Sequence, residues 1–361
     1  MSQPSVTVLI DTCNHERYIE EAIVSVLDQD FPASETEIVV VDDGSTDRTP
    51  EIVRKFEPRV RLLRKVNGGQ ASAFNVGIPE ANGEIIAFLD GDDWWKKSKL
   101  SAVMKAFEEN PAVGVIGHGI IQIDDLTKKT TILLPEAPHC FDMRSVAGAQ
   151  VFRNFMCFLG TSRVAIRSSV LTQVLPIPES LTIEADEYMS AVGVARGGAI
   201  LLAEPLTFYR LHDQNLFQLR TNDAVRMRKK MQALDCLASE LSLRLAALGV
   251  CPEAIAVVVE PIRTSVSRAR LILEGGTSWE AYRVERADFR HAYSRVGLGY
   301  RAYKELAMAM SLLMPPRCFY RLRGWYSAKG LRRVRKIIGE PQPMAPIIER
   351  DLRERDESFA R

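Results

Sequence analysis

Ile38-Val39-Val40-Val41-Asp42-Asp43-Gly44-Ser45-Thr46-Asp47 decides how the chain is read. Four consecutive β-branched residues suit a strand covered on both faces, as parallel strands are. Turn residues and a helical pattern over 47–56 follow at once, which is the strand-to-helix step of a βαβ unit. Outward from this stretch the alternation recurs, with strands expected over 6–10, 60–65 and 84–89 and helices over 16–29, 70–76 and 97–109. That order favours an α/β fold with a mostly parallel sheet and crossover helices on its faces. Residues 113–123 read as a strand bent at its glycines, and a less regular, proline-bearing stretch runs to about residue 158. A helix is expected over 181–196 and extended segments over 200–203 and 206–211.

Past residue 215 the pattern turns helical, so three parts are expected: an α/β domain over 1–215, a helical region over 216–340, and a charged, loosely ordered tail over 341–361. The 361 residues carry 47 Lys plus Arg against 46 Asp plus Glu, a net charge of +1, which removes the basic field of a nucleic-acid-coating protein. With 46% hydrophobic and 26% charged residues, the composition fits neither a disordered chain nor a polytopic membrane protein. The six cysteines form no C-x-x-C pair and no leader precedes the first strand, so reduced thiols and a cytoplasmic location are expected.

Acids mark the C-terminal ends of three expected parallel strands: Asp11, then Asp42-Asp43, then Asp90-Gly91-Asp92-Asp93. Open α/β sheets bind ligands in the crevice outside those ends. Carboxylates gathered there repel one another unless a cation lies between them, and hard oxygen ligands suit Mg2+ or Mn2+. Such an ion would bridge a diphosphate. The structural alternative is that these acids cap the following helices, as Asp, Ser and Thr do. Trp94 and Trp95 read more naturally as packing residues than as ligand contacts.

Four segments together resemble the inverting nucleotide-sugar glycosyltransferases of family two, which have the GT-A fold: residues 8–29, Val41-Asp-Asp-Gly-Ser-Thr-Asp47, Asn67-Gly-Gly-Gln-Ala-Ser-Ala-Phe-Asn-Val-Gly77, and Asp90-Gly-Asp-Asp93. The resemblance implies a catalytic domain over 1–215 that takes a nucleotide-diphosphate sugar, a UDP-sugar first of all, with Mn2+ or Mg2+. By the same resemblance Asp43 reads the base, Asp11 and Thr12 line the nucleotide pocket, and Asn67, Gly69 and Gln70 approach the nucleotide and sugar. Asp90 and Asp92 stand at the ends of the D-x-D pattern, with Asp92 the direct metal ligand. Cys13 and Phe74 depart from it, where the family commonly has an aromatic residue and often an arginine.

An inverting transfer needs a carboxylate to take the acceptor's proton. The resemblance places that base in Glu184-Ala-Asp-Glu-Tyr-Met189, with Asp186 aligning best and Glu187 as the alternative; solvated helix-face acids are the bland reading. It also makes His212, ending Glu204-Pro-Leu-Thr-Phe-Tyr-Arg-Leu-His212, a third metal ligand beside Arg210 as a phosphate holder. Between Arg317 and Lys336 eight basic residues stand among aromatic and aliphatic ones without an acid. Either this is a solvated helix face, or residues 307–338 dock the enzyme on the anionic inner face of the cell membrane, where a lipid-linked saccharide would be the acceptor. The expected function is synthesis of a cell-surface polysaccharide or glycolipid. Two alternatives stand beside it: a nucleotidyltransferase, which would need a glycine-rich phosphate loop that Asp11-Thr-Cys-Asn14 lacks, and a non-catalytic nucleotide-sugar-binding scaffold, which the substitution at Ala185 would fit.

Overall fold

The computed structural model describes residues 4–212, 224–292, 297–325 and 347–352. They form two compact units, one of residues 4–212, 240–255 and 347–352 and the other of 224–239, 256–292 and 297–325.

The first unit is built on a mixed sheet. Its strands are β1 Val6–Thr12, β2 Thr36–Asp42, β3 Arg61–Arg64, β4 Ile85–Asp90, β5 Trp94–Trp95, β6 Val115–Asp124, β7 Thr130–Pro135, β8 His139–Phe141, β9 Val164–Arg167, β10 Ala199–Leu211 and β11 Ile347–Leu352. The main path runs β11-β7-β6-β9-β4-β1-β2-β3, with β10 beside β6 and joined to β5 and β8. β1 pairs parallel with both β2 and β4, and β2 with β3, as the alternating sequence predicts. Val39, Val40 and Val41 of β2 and Phe88 and Leu89 of β4 are fully buried, which is what two covered faces require. Helix Ile19–Leu27 lies over this sheet with Ile19, Ala22, Ile23 and Val26 turned inward, the spacing of one helical face.

The second half of the unit departs from the parallel pattern. β9 enters between β4 and β6 and runs antiparallel to both. The stretch read as irregular contains β7, β8 and helix Val146–Phe155; Pro135 closes β7, outside the interior of a central strand where proline would remove a ladder bond. The two extended segments near Pro205 are one strand, β10, whose register against β6 shifts on both sides of that proline. Ile347–Leu352, inside the stretch expected to be loosely ordered, pairs antiparallel with β7.

In the second unit, helices Ser278–Ala292 and Pro316–Trp325 meet residues before Leu273 in a small core of Leu271, Ala281, Phe319 and Tyr320. Arg268 binds Glu285 at 3.3 Å and Asp288 at 3.0 Å, and Arg323 pairs with both acids. Of the basic stretch noted above, residues 326–336 lie outside the described residues. Among the described residues no helix is long and apolar enough to cross a membrane.

Candidate active site

Because β1 and β4 are adjacent and in register, Asp11 is paired with Asp90 across the ladder, and Thr12 with Asp42 of β2. The three acid groups therefore meet at one end of the sheet. Their roles then separate by hydrogen bonding.

Asp42 is structural. It is fully buried, accepts Ser45 N–H at 3.0 Å and pairs with Arg64 at 2.8 Å. Asp47 accepts Thr49 N–H at 2.9 Å and Glu16 N–H at 3.0 Å, an Asx turn just ahead of helix Thr49–Arg54, whose N-cap is Arg48 without a side-chain cap. Asp43 faces the 67–70 turn instead. Its carboxylate accepts Lys65 Nζ at 2.6 Å and the N–H groups of Gly68 at 2.9 Å and Gly69 at 2.7 Å, while Asn67 Nδ2 donates to its carbonyl at 2.8 Å. Three donors on a carboxylate with about four acceptor directions leave one for a further donor, such as a base imide. The turn needs glycine at 69: φ is +84°, and a Cβ there would stand 2.6 Å from the Thr182 backbone.

Asp90, Asp92 and Asp93 each offer an oxygen within 4.8 Å of the others. Asp93 is buried and both its oxygens are occupied, one by Ser162 Oγ at 2.6 Å and the other by Arg210 N–H at 2.8 Å. Asp92 meets two histidines, with His212 Nε2 at 2.9 Å and His15 Nε2 at 4.0 Å. His15 had no role from sequence; its Nδ1 is 3.2 Å from Thr12 Oγ1. Gly91 permits this crowding, since a Cβ there would lie 2.5 Å from Thr12 Oγ1 and 2.8 Å from His15 Nδ1.

Burial, followed by the charges of Asp186 and Asp92, pushes the Asp11 carboxyl well up. Burial and then Asp11 do the same to Asp90. Burial and Asp92 push Asp93 up to about 8. Burial alone would raise Asp92 too, but the His212 hydrogen bond and the neighbouring histidine charges outweigh it and hold it low. One oxygen of Asp11 is buried without a hydrogen-bond partner. A crowd of mutually destabilised carboxylates with an unsatisfied oxygen fits a hard divalent cation, which reverses this electrostatic logic when bound. The residues present thus suit Mn2+ or Mg2+.

Helix Ala185–Gly197 brings Asp186 to the same acids, whose carboxyls its charge raises. Asp186 accepts Thr161 N–H at 3.2 Å. Glu187 follows it in the first turn. Gln70 does not simply face outward: its amide donates to Thr161 Oγ1 at 3.0 Å and accepts Ala185 N–H at 3.1 Å. Arg210 is committed to Glu21, Asp125 and the Asp92 carbonyl, and lies over the Tyr18 and Trp94 rings. Phe74 is core, buried edge-on against Phe88, and Cys13 is a half-buried free thiol near Asn67. Trp94 stacks on Phe208 and Trp95 is buried, so both pack as expected. Lys65, Thr161 and Ser162 carried no signal in the sequence; nothing local marks them, because their partners are 22 to 72 residues away.

A mixed sheet ending in convergent carboxylates, closed by a helix acid and a strand-end histidine, is the architecture of a GT-A glycosyltransferase. Residues 7–169 match the family model Glycosyl transferase family 2, and the chain belongs to that family. It is 35% identical over 225 residues to an uncharacterized glycosyltransferase of Nostoc sp. strain PCC 7120, covering 58% of this chain and 66% of that one. It is 37% identical over 127 residues to the poly(ribitol-phosphate) beta-N-acetylglucosaminyltransferase TarS of Staphylococcus aureus, covering 32% of this chain and 22% of TarS. The crystal structure of S. aureus TarS superposes with a TM-score of 0.53 at 19% identity over 78% of this chain and 49% of that one. TarS 1–349 in complex with UDP gives 0.50 at 19% over 88% and 91%. The mannosyltransferase PcManGT of Pyrobaculum calidifontis, in complex with GDP-Man and Mn2+, gives 0.50 at 19% over 92% and 88%. The chain thus spans just under two thirds of the first curated relative and about a fifth of TarS.

Proposed function

We propose that this chain transfers a sugar, with inversion, from a nucleotide-diphosphate sugar to a hydroxyl of a glycan or lipid-linked saccharide in cell-surface polysaccharide or glycolipid synthesis. The observation that carries the reading is the convergence of Asp11, Asp90 and Asp92 with Asp186, from three separate chain segments, at the end of the parallel strands. In this reading residues 1–215 are the catalytic domain and 216–340 a helical region that associates with membrane or partner.

Asp43, with the Asn67–Gln70 turn, holds the nucleotide, and Asp11 and Thr12 line its pocket. A UDP-sugar is the first choice of donor, in keeping with the UDP complex of TarS. Asp90, Asp92 and His212 would hold the Mn2+ or Mg2+, which supplies charge neutralisation for the departing diphosphate when bound. Asp186 accepts the proton of the acceptor hydroxyl as its oxygen attacks the anomeric carbon and the bond to the phosphate oxygen breaks. Removing that carboxylate separates the enzyme from a non-catalytic scaffold. Asp186→Asn is expected to slow nucleoside diphosphate release by about 10²- to 10⁴-fold, and Glu187→Gln to leave it nearly unchanged. Equal losses would move the base to the pair, and activity surviving both changes would overturn the assignment.

Membrane docking rests on the second unit. Leu312 and Leu313 are exposed there, and helix Pro316–Trp325 is basic without an acid. Leu312→Glu with Leu313→Glu is expected to abolish co-sedimentation with anionic liposomes; unchanged sedimentation, or none by the wild type, removes this part of the reading.

A further inference from the structure

The mechanism above uses groups at two ends of one reaction: the acids toward the leaving diphosphate and Asp186 toward the acceptor. They come from β4 and from helix Ala185–Gly197, nearly a hundred residues apart. Both are tied to the same two residues. Ser162 Oγ lies 3.1 Å from Asp90 Oδ2 and 2.6 Å from Asp93 Oδ2, and it accepts Asp90 N–H at 3.1 Å. One residue earlier, Thr161 N–H donates to Asp186. The Ser162 carbonyl is itself fixed by three donors, Thr207 Oγ1 at 2.6 Å, Trp95 Nε1 at 3.0 Å and Lys99 Nζ at 3.3 Å. Thr161 and Ser162 are almost fully buried. Gln70 completes the linkage by joining Thr161 Oγ1 to the Ala185 N–H at the start of the Asp186 helix.

We propose that the Thr161-Ser162 pair is a positioning device with two arms, the Ser162 hydroxyl orienting Asp90 toward the cation and Thr161, with Gln70, orienting Asp186 toward the acceptor. Neither residue touches a reacting atom. The arms are separable because they use different atoms: a side-chain hydroxyl for the acids, and a backbone N–H steadied by the Gln70 amide for the base. Groups that orient metal-ligating carboxylates govern affinity nearly as strongly as some ligands do, typically about 10- to 100-fold.

This inference rests on the reading that Asp90 and Asp92 hold a cation and Asp186 takes the proton. Its test is Mn2+ binding to the full chain, read from the electron paramagnetic resonance signal of the free ion, alongside kcat for nucleoside diphosphate release and thermal unfolding by circular dichroism. Ser162→Ala is expected to weaken Mn2+ binding about tenfold. Thr161→Val and Gln70→Leu are expected to leave Mn2+ binding as in the wild type while lowering kcat. Ser162→Cys, which keeps a weak donor in place, is expected to fall between wild type and Ser162→Ala, and it carries the test if the alanine variant does not fold. Folded serine variants with wild-type Mn2+ affinity overturn the device alone, as does an equal loss of Mn2+ affinity in Thr161→Val and Gln70→Leu. A wild-type chain that binds no Mn2+ at millimolar concentration overturns the metal reading and the device with it.

Discussion

The two halves of the site are made differently. On the donor side, Asp11, Asp43 and the D-x-D acids each end a parallel strand, and neighbouring residues finish the geometry: Gly44, the 67–70 turn, Gly91. On the acceptor side, Asp186 comes from a helix and is met by the Thr161 N–H from a short turn, while Gln70 holds the first residue of that helix from 115 residues away. The contrast teaches that strand-end ligands are brought together by the register of a parallel sheet, which the sequence pattern announces, while a base aimed at a second substrate is positioned by the docking of a helix that no such pattern announces.

The first way to break the comparison is at the donor side. Asp92→Asn removes the acid that faces His212 and should lower turnover by about 10³-fold, since a bound cation contributes several kcal/mol of charge stabilisation. Steady-state nucleoside diphosphate release measures it, and a loss of only a few fold would shift the role to Asp90. Asp43→Asn should do less: it loses the Lys65 charge, and is expected to raise donor KM about tenfold with kcat little changed. A kcat effect instead would mean that Asp43 serves the chemistry and not the nucleotide.

The smallest expected effect lies in the shared support beneath Ser162. Lys99 is fully buried beneath Ser162 with its ammonium 3.5 Å from the Trp95 ring, and burial holds its pKa well below the usual lysine value. The unfolded chain therefore binds a proton that the folded chain does not, in the window between the lowered value and the ordinary one. Folding stability contributed by this site rises with pH through that window, by at most about 1.4 kcal/mol per pH unit. Lys99→Met should flatten the rise of stability with pH that urea unfolding is expected to show below the ordinary lysine value; parallel slopes would show that Lys99 is not the group responsible. His118, also buried with a lowered pKa beside Lys99, titrates lower and contributes below neutral pH.

The same division explains what the sequence disclosed. The central strands and their acids stand out because an apolar run, a turn and a helix follow one another within a dozen residues. The residue pattern alone does not separate Asp43 from Asp42, since both end one strand and their roles depend on Arg64 and Lys65 at the end of the next; the family resemblance made that choice and the hydrogen bonds give its physical reason. β7 and β8 were hidden by prolines that only strand ends and edges accept, while β10 was read as two extended segments because Pro205 sits at a register shift. Ser162 had no motif at all, because a buried hydroxyl acquires its meaning from the acids placed around it. Gln70 was recognised for its neighbourhood, yet its amide spans to Thr161 and Ala185, a contact set by the docking of a helix 115 residues on.

The most direct test of the central claim is nucleoside diphosphate release by the full chain from a panel of nucleotide sugars, including UDP-N-acetylglucosamine and GDP-mannose, after EDTA treatment and again after Mn2+ or Mg2+ is restored. The account predicts that a donor is consumed only with the cation present. Turnover unchanged by EDTA would contradict it.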